Sequence, residues 1–275
     1  MSELLCSHRR YLLLRVTHTL SETSCHRQVH GGIVLGVSDV TERGADGRTS
    51  RWDEHKAQRR LDVLDAAIDA IERHGIEVTV KQIADELGLP RPVVYRHFHG
   101  RSDLDEQIRA RIIEQLLAEL EPALRPDGTV ADAVRHAVGT YLAWVDQHPR
   151  LHHFLGAGRH HERVTGSPVV SGARNAIAAQ LAALFTTALA HFGKDTSFAR
   201  PMAYGVIGLV DGVVNAWRSD PDSVVAPAEV VGRLSDSILA LIESNARALG
   251  VAIDADTPVQ ELLRESEAQP GGLDP

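Results

Sequence analysis

Residues Thr79–Phe98 read TVKQIADELGLPRPVVYRHF, and this stretch decides the fold. It is patterned as a short helix, a tight turn and a second short helix. Thr79 is a capping residue, and Gln82 three positions on completes a capping box. Val80, Ile83, Ala84 and Leu87 fall at helical spacing and form one apolar face. Gly88 supplies the residue free to take positive φ where the helix stops. The second helix is expected from about Pro92, with the proline in its first turn and Arg91 held extended before it. Val94 and Phe98, four apart, point inward and leave Arg91, Tyr95, Arg96 and His97 outside. A bihelical unit that presents cations and a tyrosine has the shape of a DNA-reading helix-turn-helix.

Upstream, Leu61, Leu64, Ile68 and Ile71 form the apolar stripe of a leading helix that Gly75 ends. From about Arg60 to Leu104 this layout resembles the DNA-binding domain of TetR-family transcriptional regulators. The resemblance rests on the leading helix ending in Gly75, the T-x-x-x-I-A-x-x-L-G run, V-Y-R-H-F, and Gly100, Arg101 and Asp103-Leu104 after it. Beyond Leu104 only length and an all-helical layout match. The sequence departs from the family's habit at Pro90 and Val93, both near the expected DNA surface.

The expected architecture is all-α. A three-helix helix-turn-helix domain spans 52–101, a helical body for effector binding and dimerisation spans 102–250, and a polar tail spans 251–275. In the body, Ser102 is expected to cap a helix carrying Leu104, Ile108, Ile112, Leu116 and Leu120, and Thr129 the next, with Val130, Val134, Val138, Tyr141, Leu142 and Val145 inside. A short irregular helix is expected at Leu151–Leu155, followed by a loop marked by Gly156, Gly158, Gly166 and Pro168. Three longer helices follow at about 170–192, 198–218 and 227–249, and the segment after Pro258 is expected to fray. Val206, Leu209, Val210, Val213, Val214 and Trp217, with Leu234, Ile238, Leu241 and Ile242, exceed what a single apolar stripe needs. Such excess fits either a subunit interface or the central helices of a monomer. The resemblance implies the first, a homodimer.

Residues 1–51 are unlike the rest. Arg10–Leu20 and Gly32–Val37 are β-prone, and Gly44–Ser50 is loop-like. A loosely held extension, a small hairpin, and a basic arm using Arg43, Arg48 and Arg51 in a minor groove all fit, as does a start of translation downstream of Met1.

The chain of 275 residues carries a formal net charge of -8. DNA affinity therefore has to come from a local patch. Between Thr79 and Arg101 there are four lysines and arginines against two carboxylates, and a dimer doubles that excess. The two cysteines, Cys6 and Cys25, make no disulfide framework. The apolar run Tyr11–Leu14 is too short for a membrane span or a signal peptide, so a cytoplasmic location without membrane attachment is expected.

On this reading Arg91 and Tyr95 approach base edges or adjacent phosphates, and Pro92 and Arg96 belong to the same DNA-binding set. Lys81, His97 and Arg101 hold phosphates of a double-stranded operator. The resemblance further implies a small-molecule effector inside the body, walled here by Tyr141, Trp144, Val145, Phe154, Phe185 and Asp211. That lining suits a mostly hydrophobic ligand, and the expected activity is that of a repressor released by it. No cofactor is expected, and no enzyme activity, since no catalytic motif was found: no P-loop, no G-x-S-x-G, no H-E-x-x-H. The competing reading is a metal-dependent enzyme or metal sensor built on His148, His152, His153, His160 and His161, although Pro149 interrupts the helix that His148 and His152 would share.

Overall fold

The computed structural model describes residues 47–124, 128–161, 166–220 and 222–263, with side chains described from His55 to Gly156 and from Gly166 onward within those ranges. The readings made for 1–46, for the side chains of Arg48, Arg51, His160 and His161, and for the chain beyond Leu263 lie outside them. Among the described residues the helices are α1 (Gly47–His74), α2 (Val80–Glu86), α3 (Arg91–Tyr95), α4 (Arg101–Leu120), α5 (Val130–Gln147), α6 (Pro149–His161), α7 (Pro168–His191), α8 (Ala199–Ser219), α9 (Pro227–Ala248) and α10 (Val259–Leu262). No strand is formed among them. None of these helices is long and apolar enough to cross a membrane. The chain divides into two compact units. One holds α1–α3, α4 up to Glu114, and residues 150–172. The other holds residues 115–149 and those from Ala173 onward.

The first unit is built on the inner face of α1. Val63, Leu64, Ala67, Ile68, Ala70 and Ile71 are buried there, with Ile83, Ala84, Val94, Phe98, Leu104, Ile108 and Ile112 from α2, α3, the turn after it and α4. The stripe begins at Val63 rather than at Leu61, which is exposed. The helix itself begins at Gly47, so the expected loop over Gly44–Ser50 does not hold from Gly47 on. At its other end, Gly75 takes φ 88° and its N–H donates to Ile71 O at 2.8 Å, a left-handed C-terminal stop.

In the second unit α5 packs along α9. At Gly139 the helices are in contact but not crowded: a Cβ there would lie 3.9 Å from Val231 Cγ1, an ordinary van der Waals distance. Leu142, Val145 and Val138 of α5 are buried, as are Val230, Leu234 and Ile238 of α9. The structure corrects the reading of the chain end. Residues 251–263, read as the start of a polar tail that frays after Pro258, are packed instead. Val251 and Leu262 are buried, and Leu262 joins Val130, Ala131 and Leu239 in one apolar cluster, flanked by Ile253 and Val259. The segment also serves the start of α5. Val130 N–H donates to Thr257 O and Ala131 N–H to Ala255 O, each at 2.9 Å, and Val259 N–H donates to Gly128 O at 3.0 Å. First-turn N–H groups have no partner within their own helix, so the returning segment caps α5 together with the Thr129–Asp132 capping box.

Two further boundaries differ from expectation. α6 runs on through Gly156 to His161 where a loop was expected. α4 starts at Arg101, so Ser102 lies inside the helix rather than at its cap. Asp103, in its first turn, accepts from the His99 N–H at 2.7 Å.

Candidate nucleic-acid interface

α2 is set by its ends. Thr79 Oγ1 accepts from Gln82 N–H at 3.3 Å, and Gln82 Oε1 accepts from Thr79 N–H at 2.8 Å. At the other end Gly88 has φ 61°, its N–H donating to Asp85 O at 3.1 Å and that of Leu89 to Ala84 O at 2.9 Å. Those two bonds are the Schellman pattern, which turns the chain sharply toward α3.

α3 departs from expectation at both ends. Pro90 is its N-cap and Arg91 its first helical residue, so Arg91 is helical, not extended. The helix ends at Tyr95, and Arg96 and His97 close it with tighter bonds to the carbonyls of Val93 and Val94, at 3.2 and 3.0 Å. Phe98 leaves the helix to enter the core, with 3 % of its surface exposed, and Val94 is fully buried. With these two anchored, Arg91, Pro92, Tyr95 and Arg96 are exposed. Arg91 and Tyr95 act as a pair: an Nη2 hydrogen bond reaches Tyr95 Oη at 3.2 Å, with the guanidinium carbon 5.4 Å from the ring centroid. Lys81 is exposed on α2.

Arg101 is placed differently from the others. Its Nη1 donates to Val78 O at 2.7 Å and its Nε to Asp105 Oδ1 at 2.8 Å. It ties the start of α4 to the segment before α2, and these bonds engage two of the five N–H donors of its guanidinium. Asp105 is more than half buried; burial raises its carboxyl above the usual range, against the pull of Arg101 and Arg109.

A cleft of about 370 Å³ opens beside α3, lined by Lys56, Ala57 and Arg60 of α1 and by Tyr95 to His99. The α1 cations were missed in the sequence reading. The signal was the basic run His55–Arg60 just ahead of the apolar stripe. Arg60 lies over the Phe98 ring at 5.8 Å and also donates to Gln107 Oε1 at 2.7 Å. Arg150 was missed as well; it donates to the carbonyls of Glu72 and Arg73 at the end of α1, the second at 2.8 Å.

The expected effector wall is split between the units. Phe154 belongs to the first, buried beneath the Arg109 guanidinium at 4.9 Å. Tyr141, Trp144 and Val145 on α5, Phe185 on α7 and Asp211 on α8 belong to the second. Trp144 and Val145 are buried, and the Trp144 ring lies 5.4 Å from that of His148. Asp211 Oδ2 is 2.7 Å from Arg174 Nε, and Asn215 donates to the Asp211 carbonyl at 2.7 Å. The Asp211 carboxylate is thus engaged by an arginine that the sequence reading did not pair with it.

The metal reading finds no support in this geometry. α5 ends at Gln147, with His148 as its cap, and α6 begins at Pro149, so His148 and His152 do not share a helix. Among the described residues, no three His, Cys, Asp or Glu side chains group as metal ligands.

Residues 63–108 match the sequence profile described as bacterial regulatory proteins, tetR family. An HTH-type transcriptional regulator of Mycobacterium tuberculosis is 31% identical over 177 residues, 64% of this chain and 74% of that protein. The chain belongs to the TetR family. It is a DNA-binding transcriptional regulator, not an enzyme. The HTH-type transcriptional activator FasR of Mycolicibacterium smegmatis is 24% identical over 61% of this chain and 78% of that one. A TetR-family regulator from Streptomyces coelicolor has the same fold, with TM-score 0.55 at 22% identity over 70% of this chain and 87% of that one.

Proposed function

We propose that this TetR-family chain works as a homodimeric repressor, with Arg91 and Tyr95 reading an operator and a small, mostly apolar effector releasing it. The observation that carries the reading is the Arg91–Tyr95 pair. Both side chains are exposed on α3, and Val94 on its other side is buried. Lys81, Arg96, His97 and the α1 cations Lys56 and Arg60 surround the pair as phosphate contacts, which set register without reading sequence. Arg101 supports that surface through Val78 and Asp105 rather than meeting DNA.

Dimerisation is supported by α8. Gly205, Gly208, Gly212 and Ala216 recur along one exposed side of it. A Cβ built at any of the three glycines meets nothing within 4 Å. The effector reading is kept to the second unit: Tyr141, Trp144 and Phe185 supply apolar surface, and the Asp211–Arg174 pair supplies a polar end. Phe154 is left out of it.

Enrichment of bound duplexes from a random library tests the DNA reading. A two-fold symmetric consensus is the expected result, and no enrichment above input would overturn it. A reporter placed behind that consensus tests repression, which requires expression to rise when the gene is deleted. The name of the Mycolicibacterium smegmatis relative makes a fall the informative opposite, that of an activator. For the effector, the emission of Trp144, isolated by comparison with Trp144→Phe, should respond to an apolar compound that also releases DNA.

A further inference from the structure

The cleft between α1 and the turn after α3 combines three observations. It holds about 370 Å³ between Lys56, Arg60, Arg96, His97 and His99. It adjoins Tyr95, on the surface assigned above to DNA. And within it His97 is half-buried, its Nδ1 atom enclosed without a hydrogen-bond partner. An imidazole in that position is hard to charge. Burial disfavours the cation first, and Lys56, Arg59 and Arg60 of α1, with Arg96 beside it, oppose a further positive charge, so the His97 pKa lies below its usual value. On the α4 side the neighbouring carboxylate is Asp103, whose oxygens accept from the His99 N–H and from Gln107, each at 2.7 Å. Protonation would also give the buried nitrogen an N–H with nothing to receive it, a further cost.

We infer that seating a DNA backbone phosphate in this cleft is coupled to uptake of one proton at His97, so that this regulator holds DNA more tightly as the pH falls. A phosphodiester is anionic across the physiological range. Placed among these cations it reverses the field on the imidazole and favours its charged form. By linkage, a group that binds a proton more tightly in the complex than in the free protein makes the complex stronger as pH falls through the bound-state pKa. The gain levels off below the free-state pKa, where both forms are protonated. The inference rests on the DNA-binding reading above and adds a condition to it.

The test is a fluorescence-anisotropy titration of a labelled duplex enriched by the full-length protein, at pH 6, 7 and 8 and constant ionic strength. The unmodified chain should bind at least about threefold more tightly at pH 6 than at pH 8, within the tenfold-per-unit limit for one proton. In His97→Gln that slope should collapse, while His99→Gln keeps it. Binding without a pH slope, or an equal slope in His97→Gln, overturns the proton coupling and leaves the DNA reading standing. No binding at any pH overturns both. NMR titration of the His97 imidazole in the unmodified protein, assigned by through-bond correlation to its own backbone, covers the case where that variant folds poorly. The midpoint should rise when duplex is added. A midpoint raised by inorganic phosphate alone but not by duplex would make the cleft a site for a free anion and refute the proposal.

Discussion

Arg91 and Arg101 stand close in sequence and look alike as candidates for DNA, yet their partners give them different work. Arg91 bonds only to Tyr95 Oη in the hydrogen bonds the structure defines for it, and both side chains are exposed. Arg101 spans Val78 O and Asp105. The two alanine variants should therefore separate. Arg91→Ala should lose on the order of 1–3 kcal/mol of operator binding if the side chain reads a guanine, with its urea midpoint unchanged. Arg101→Ala should lose about 1–3 kcal/mol of folding stability, since it strands a buried carbonyl and a half-buried carboxylate. Equal midpoints for Arg101→Ala and the unmodified chain would return Arg101 to the DNA surface. Only half of the Arg101 arrangement is open to sequence reading, the Asp105 partner four positions downstream; Val78 O, 23 positions upstream, is not. The Thr79–Gln82 box and the Gly88 stop are different. Each is a local device whose partners lie within five residues, so each was legible beforehand.

At the scale of elements, what was legible were helices with a strong stripe and a marked stop. What was missed depended on distant packing. α3 ends at Tyr95 because Phe98 must turn into the core, and no residue type marks that. α6 passes through Gly156 and Gly158, since each glycine weakens a helix by only about 1 kcal/mol and does not forbid it. The returning segment 251–263 was read as tail because it is polar, with Asp254, Asp256 and Pro258 breaking up Val251, Ile253, Val259 and Leu262. Its role is to accept the first N–H groups of α5 and to cover Val130 and Leu239. Leu262→Ala should cost about 2–4 kcal/mol of stability in urea. A chain cut after Gly250 should lose more, through the bared α5 cap. Melting curves that superimpose on the full chain would show that the segment is dispensable. On α8, Gly208→Arg tests the proposed interface, because the position is open within one chain. Light scattering should report a monomer with unchanged helix content; a persistent dimer would move the interface elsewhere.

For the whole molecule, charge frames the account. A chain of net charge -8 repels DNA on average, so binding has to be concentrated where α1, α2 and α3 gather Lys56, Arg60, Lys81, Arg91 and Arg96. That concentration favours a salt-sensitive, site-specific complex over general adhesion to DNA. The central claim is that α3 reads DNA through Arg91 and Tyr95. The measurement that tests it most directly is the affinity of the full chain for its enriched duplex at fixed salt and pH, set beside that of the Arg91→Ala, Tyr95→Ala double variant. The account predicts nanomolar-range binding for the unmodified chain and a loss of about tenfold or more in the variant, with the same melting temperature. Equal affinities in the two proteins would contradict it.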